Sequence, residues 1–277
     1  MTITKLFDPH PILQPLIKMV LVKGVVPWEN NSKKIYSYPP TPVHCIILYP
    51  GSPIRARKLG KESFERQPDC VVVGPQLTPV EIELSKDHLA VMIGFQPGGL
   101  FRFLGIPMTE MFDDGIDGFQ ILDKEITFLV DELRETEKPE DVNNKVQMYL
   151  LKKLQSTLDQ LPFDRALRKL QITDNQYTMD DVALDACLSL RQFQRKCHER
   201  LGMNPKLYAR IARFSKAYSM FEANQLLTWS HISHQCGYFD QMHFIKDFKE
   251  FAGITPGLMS KNLDDSGLTF QAPMKIG

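Results

Sequence analysis

The sequence predicts an α+β chain: a small antiparallel β barrel with flanking helices, followed by an all-α domain with two helix-turn-helix units. Three observations carry that expectation. Up to about Pro107, short apolar runs (HCIILY, CVVVG, AVMIGF) alternate with stretches rich in proline and glycine (YPPTP, YPGSP, GPQLTP, GFQPGG), the rhythm of short strands and turns. From Asp123 the apolar residues move to helical spacing. Near the end, Ser189, Phe193, Arg195, Gly202 and Pro205 recur fifty-one residues later as Asp240, Phe244, Lys246, Gly253 and Pro256, so the chain carries two copies of one local device.

The closely spaced strand runs favour a barrel or sandwich. Ile126, Leu129, Val130 and Leu133, then Val142, Val146, Tyr149, Leu150 and Leu154, predict two amphipathic helices joined at Lys138-Pro139. Their apolar stripes either pair with a second copy of the chain or cover the barrel. The pattern breaks at Leu161-Pro162, ahead of a helix around Asp164 to Ile172. Beyond it come a short helix from Met179 to Ala186, a turn at Cys187-Leu188 and a helix from Leu190 to about Leu201. A long helix opens at Pro205 and runs to about Asn224. Trp229 to Cys236, a turn at Gly237 and a helix from Gln241 to about Ala252 complete the series. Ser189 and Asp240 stand at N-cap positions and Gly202 and Gly253 at the stops, which gives each short helix, turn and capped second helix the form of a helix-turn-helix.

The chain has 277 residues, 43% hydrophobic and 24% charged, enough for two globular domains. Its 33 lysines and arginines balance 33 aspartates and glutamates. The balance hides an asymmetry, because residues 165–263 hold 14 basic against 9 acidic side chains, leaving 19 against 24 elsewhere. The five cysteines, at 45, 70, 187, 197 and 236, are odd in number and form no Cys-x-x-Cys pair. With no signal-like segment and no stretch long enough for a membrane span, a reduced, soluble, cytoplasmic chain without membrane contact is expected.

On the first capped helix Phe193, Cys197 and Leu201 share one face, while Arg191, Gln194, Arg195 and His198 fall at i, i+3, i+4 and i+7 on another. The first face packs and the second offers donors and acceptors for base edges or phosphates, arginine suiting guanine and glutamine adenine. On the second capped helix Phe244, Phe248 and Phe251 pack, leaving Gln241, Met242, Ile245, Lys246 and Lys249 outward. Methionine and isoleucine touch a thymine methyl but make no paired hydrogen bonds, so this helix is expected to add affinity more than specificity. About twenty residues of connecting helix span roughly 30 Å, close to the ~34 Å between successive major-groove faces on one side of B-DNA. Lys206, Arg210, Arg213 and Lys216 on that connector are candidates for phosphate contacts or for salt bridges within the domain.

These residues resemble the AraC/XylS family of bacterial transcription regulators. The resemblance spans about Asp164 to Leu263 and is most specific in GYFDQMHFIKDFKEFAGITP. The preceding LDACLSLRQFQRKCHERLGMNPKLYARIARFSKA agrees at Ser189, Phe193, Gly202, Pro205, Tyr208, Arg213 and Ala217. It departs at Cys187, where the family has a turn glycine, and at Cys197, where phenylalanine is common. The resemblance implies a regulator whose two units bind one site on double-stranded DNA, with RNA polymerase as a partner. It also implies an N-terminal domain for sensing a small-molecule effector or for homodimerisation. GPQLTP and IGFQPGGLFRFLGIPMTEMFDD are similar to a sensory domain of some such regulators, implying a cupin-like barrel. The expected division is a cupin-like domain with trailing helices at 1–160, a DNA-binding domain at 164–263 and a flexible tail at 264–277. No catalytic residue, cofactor or metal is expected.

Two readings from other classes compete. A cupin-type metal enzyme with a helical regulatory tail would use His44, yet no His-x-His cluster with a downstream glutamate accompanies it. His231 and His234 have i, i+3 spacing but no third ligand nearby, and Gln96-Pro97-Gly98-Gly99 lacks the spacing and lysine of a phosphate loop. The other reading is an interaction protein that kept the helical fold and lost DNA reading, which a salt-dependent binding series distinguishes.

Overall fold

The computed structural model describes residues 2–25, 34–84, 88–172 and 177–261. Among the described residues there are ten strands, all but the last ahead of the first helix: β1 (Thr2–Phe7), β2 (Ile17–Val25), β3 (Lys34–Tyr38), β4 (Cys45–Leu48), β5 (Arg55–Lys58), β6 (Glu65–Arg66), β7 (Cys70–Val73), β8 (Val80–Leu84), β9 (Leu89–Phe95) and β10 (Gly115–Asp117). They form two antiparallel sheets, in the orders β1-β2-β9-β4-β7-β10 and β3-β8-β5-β6. The apolar runs HCIILY, CVVVG and AVMIGF supply β4, β7 and β9.

Those runs are nearly continuous, without polar alternation, because both faces of the larger sheet are covered. Val20, Val22, Ile46, Leu48, Val72, Val91 and Ile93 point to one core, together with Ile126, Leu129, Val130 and Leu133 of α3 (Glu125–Arg134) and Val142, Val146, Tyr149 and Leu150 of α4 (Pro139–Lys153). The intervening Met19, Leu21, Cys45 and Met92 point the other way, toward the smaller sheet. Two short helices follow strands of the larger sheet, α1 (Gly99–Leu104) after β9 and α2 (Gly118–Ile121) after β10. Of the two uses open to the α3 and α4 stripes, covering the sheet is the one realised, and their pairing with a second copy is thereby corrected. The helices are held side by side by Lys145 with Glu132 (3.6 Å) and Lys153 with Asp123 and Glu125 (2.8 and 3.2 Å).

The helical half begins at α5 (Pro162–Ala166), which runs on as a 3-10 turn to Gln171. It continues through α6 (Met179–Asp185), α7 (Leu190–Leu201), α8 (Pro205–Ala223), α9 (Trp229–Gln235), α10 (Gln241–Ala252) and α11 (Pro256–Lys261). A second core gathers Phe163, Phe193, Tyr208, Phe214, Phe221, Phe244, Phe248 and Phe251. Trp229 ties its parts together, 4.0 Å from the Phe221 ring and 5.0 Å from Phe248. The tail expected at 264–277 lies outside the described residues.

The two halves are bonded to each other through named groups. Arg200, near the end of α7 and held within the helical half by Asp164 at 2.5 Å, lies 4.8 Å from the Phe101 ring of α1. The Tyr208 hydroxyl donates to the Pro42 carbonyl at 3.0 Å and receives Gln171 at 2.9 Å. Gly202, which ends α7 with φ of 71°, lies so close to Pro75 and Met108 that an added Cβ would meet them at 2.4 and 2.8 Å. Among the described residues no helix is long and apolar enough to cross a membrane.

Candidate nucleic-acid interface

Each unit is built from a capped helix, a left-handed turn and a second capped helix. In the first, Thr178 caps α6 and Asp181 returns the bond. Ser189 caps α7 by accepting from the Gln192 amide at 3.3 Å, and the Gln192 side chain accepts from the Ser189 amide at 3.0 Å, a reciprocal pairing that satisfies two otherwise unbonded N–H groups. In the second, Thr228 caps α9. Asp240 caps α10 through the His243 amide at 2.7 Å and also meets His243 Nδ1 at 2.8 Å. Those bonds, the backbone one foremost, hold the Asp240 carboxyl below the usual carboxylate range.

The turns match bond for bond. Cys187 N–H donates to Leu184 and Leu188 N–H to Ala183; Gly237 N–H donates to His234 and Tyr238 N–H to Ser233. Both turns need a left-handed residue, φ being 55° at Cys187 and 71° at Gly237. Glycine accepts that geometry without a Cβ clash, whereas cysteine does not, so the first turn carries local strain. Cys187→Gly is therefore expected to stabilise the chain by about 1 kcal/mol, seen as a higher urea midpoint at unchanged slope; a lower midpoint would show that the thiol contributes more than its backbone costs.

Arg191, Gln194, Arg195 and His198 are all exposed on α7, while Phe193, Cys197 and Leu201 beneath them are buried completely. On α10, Gln241, Met242, Ile245, Lys246 and Lys249 are exposed above fully buried Phe244, Phe248 and Phe251. Among the described residues Arg191, Arg195, Lys246 and Lys249 have no carboxylate partner. Among the described residues, Arg200 and Gly202 at the end of α7, Tyr208 of α8 and Gly253 after α10 meet the front half of the molecule, and the candidate side chains themselves stay exposed. The connector α8 is 19 residues long, roughly 28 Å at helical rise.

The connector's cations divide. Lys206 is exposed, but Arg210 bonds Asp247 at 2.7 and 3.1 Å and Glu250 at 2.7 Å, and Arg213 lies over the Tyr238 ring at 5.2 Å. Arg210 and Arg213 thus brace α10 and its turn from α8. Sequence spacing left that choice open because Asp247 sits thirty-seven positions away and its burial depends on the helix packing. Phe239, 94% exposed in the second turn, is a surface residue that the helical pattern did not single out. His231 and His234 are exposed on α9, and His44 is buried in the first half.

Between the two sheets lies a cavity of about 580 Å³. Its walls include Leu21, Ile47, Ile82 and Met92, with Tyr38, Tyr49 and Lys23 among them. Burial pushes the Lys23 ammonium down to about 8, partly offset by Glu222 of α8, and the same Glu222 acts on Tyr38. Glu222 of the connector helix thus acts electrostatically on two residues of the cavity wall.

The family described as "Helix-turn-helix domain" matches residues 182–262, and the family described as "Domain of unknown function (DUF6597)" matches residues 5–117. No curated protein matches the chain. Among solved structures it is similar to apo ToxT in a substituted form from Vibrio cholerae strain SCE256, with 13% identity, a TM-score of 0.50, and coverage of 89% of this chain and 97% of that one. A second ToxT structure from Vibrio cholerae gives 10% identity, a TM-score of 0.50, and coverage of 87% and 97%. At such identities the likeness concerns the fold: an N-terminal pair of antiparallel sheets followed by a helical domain. With their duplicated unit, their left-handed turns and the family match, residues 182–262 form a DNA-binding helix-turn-helix domain of the AraC type.

Proposed function

We propose that the protein is a sequence-specific regulator whose α7 and α10 enter successive major grooves of one site. Arg191, Gln194, Arg195 and His198 form the first reading face, and Gln241, Met242, Ile245, Lys246 and Lys249 the second. The observation that carries this is the pairing of open faces, polar and cationic on α7 and mixed apolar and cationic on α10, with fully buried apolar faces on two capped helices, joined by a connector of about one groove repeat.

The N-terminal domain is the sensing half of this reading. Its cavity has the volume of a small-molecule site and reaches α8 through Lys23 and Glu222, a route by which occupancy alters the helix that spaces the two units. A thermal-shift screen of small metabolites that found no stabilising compound would count against an effector there. A homodimer belongs to the same reading, now through the outer side of α3 and α4, where Phe128 and Met148 are 66% and 61% exposed. Sedimentation showing only monomer at micromolar concentration would remove it. RNA polymerase is the partner that a regulator of this class addresses.

The deciding experiment is a gel-shift series with Arg195→Ala. Loss of a base contact should weaken the cognate site by about 1 to 3 kcal/mol and leave unrelated DNA little changed. Equal weakening on every sequence would make Arg195 a phosphate contact, and wild-type binding that ignores salt would overturn the regulatory reading.

A further inference from the structure

The second unit differs from the first in chemistry. Aligning the capped helices puts Met242 where the first has Arg191 and Ile245 where it has Gln194, with Lys246 and Lys249 in place of Arg195 and His198. Upstream of the turn the repeat runs at fifty residues, from the Thr178 cap to the Thr228 cap and from left-handed Cys187 to left-handed Gly237. Downstream it runs at fifty-one, from Ser189 to Asp240. The inserted residue is Phe239.

Tyr238, just before it, packs edge-on against Phe244 at 5.1 Å and is buried, as Leu188 is partly buried in the matching place. Phe239 has no such berth. It is 94% exposed, Met242 81% and Ile245 39%, at the beginning and outer side of a helix whose inner face is already filled. Three neighbouring apolar side chains facing water, with lysines one turn on, form a surface that gains free energy only when something covers it.

The geometry points to thymine methyl groups as that covering: the second unit reads a run of T·A pairs by apolar contact of Phe239, Met242 and Ile245 with the C5 methyls. This rests on the DNA-binding reading above. The N-terminal part of a second helix in such a unit is where base edges are met, and the thymine methyl is the one apolar group that the major groove displays. Lys246 and Lys249, without carboxylate partners among the described residues, complement the phosphates on either side. Of the two units, the first discriminates by hydrogen bonds and the second by methyl count.

The test starts from duplexes selected by the full chain from a random pool, with footprinting to assign the half-site under each unit. Replacing thymine by deoxyuridine removes only the methyl and leaves every base-pair hydrogen bond in place. Under the second unit each contacted methyl lost should weaken binding roughly fourfold, and the effect should vanish in Phe239→Ala/Met242→Ala/Ile245→Ala, whose surface positions leave the fold intact. The same replacement under the first unit should change binding much less. Tight binding indifferent to deoxyuridine in the second half-site would overturn this inference while leaving the regulator reading standing, and would assign the apolar surface to a protein partner. Failure to enrich any sequence would sink both.

Discussion

Replacing Asp164 by alanine should lower the unfolding free energy by about 3 to 5 kcal/mol, because it strands a buried charge. The Asp164 side chain is 2% exposed; one oxygen holds Arg200 at 2.5 Å and the other accepts the Leu161 amide at 2.8 Å. Arg200, 10% exposed in its side chain, lies 4.8 Å from the Phe101 ring and 5.5 Å from Phe163. Without Asp164 the guanidinium would have aromatic faces but no counterion, and the amide that begins α5 would lose its acceptor. Urea unfolding measures the loss. The companion Arg200→Met in the Asp164→Ala background should restore much of it, since an uncharged pair removes the stranded charge. A single-mutant loss below ~1 kcal/mol would mean that water reaches Arg200 and that the pair is a surface contact.

Gly202→Ala should cost about 2 to 5 kcal/mol, the sum of a left-handed backbone and an overpacked contact. The new Cβ would meet Pro75 Cγ at 2.4 Å and the Met108 carbonyl oxygen at 2.8 Å, and neither a ring nor a backbone carbonyl swings aside. Its counterpart Gly253 supplies the control. There φ is 74°, almost the same, but the Cβ would meet only Leu59 Cδ2 at 2.4 Å, the tip of a flexible side chain. Gly253→Ala should therefore carry chiefly the backbone cost, about 1 to 2 kcal/mol. Equal midpoint shifts for the two variants would show that the end of α7 is free to step away from Pro75, and that the contact between the halves is loose.

Both expectations rest on residues whose importance sequence patterns did not reveal. Asp164 and Arg200 are thirty-six positions apart, and neither breaks an amphipathic pattern in a way that marks burial. Gly202 was legible as a helix stop, since glycine after the last periodic residue signals a left-handed cap. That it also abuts Pro75 and Met108 depends on where α7 docks. The first two strands illustrate the same limit differently. Residues 2–25 contribute β1 and β2, with Phe7 opposite Val20, yet the early prolines and the mixed composition gave no strand rhythm. β5, of sequence RARK, is a strand because β8 and β6 pair with it on either side.

The helical half was the more legible because its signals are local. A hydroxyl or carboxylate before an apolar period, a glycine after it and a proline at the next first turn act within one or two helical turns, and α7, α8 and α10 begin where those signals place them. The same local chemistry marked Arg191, Gln194, Arg195 and His198 as outward, since a helix that buries Phe193 and Cys197 must turn the opposite side to water. By itself, then, the sequence determined the fold class, the duplicated unit and the side chains each unit exposes. Only the tertiary structure decided the rest: that the α3 and α4 stripes cover a sheet, that Arg210 braces α10, that Phe239 stands free, and that a cavity opens between the sheets. Those outcomes depend on contacts between residues tens of positions apart, and which partner wins is settled by packing density and by the cost of leaving a charge or an apolar face unmatched, quantities that belong to the assembled core.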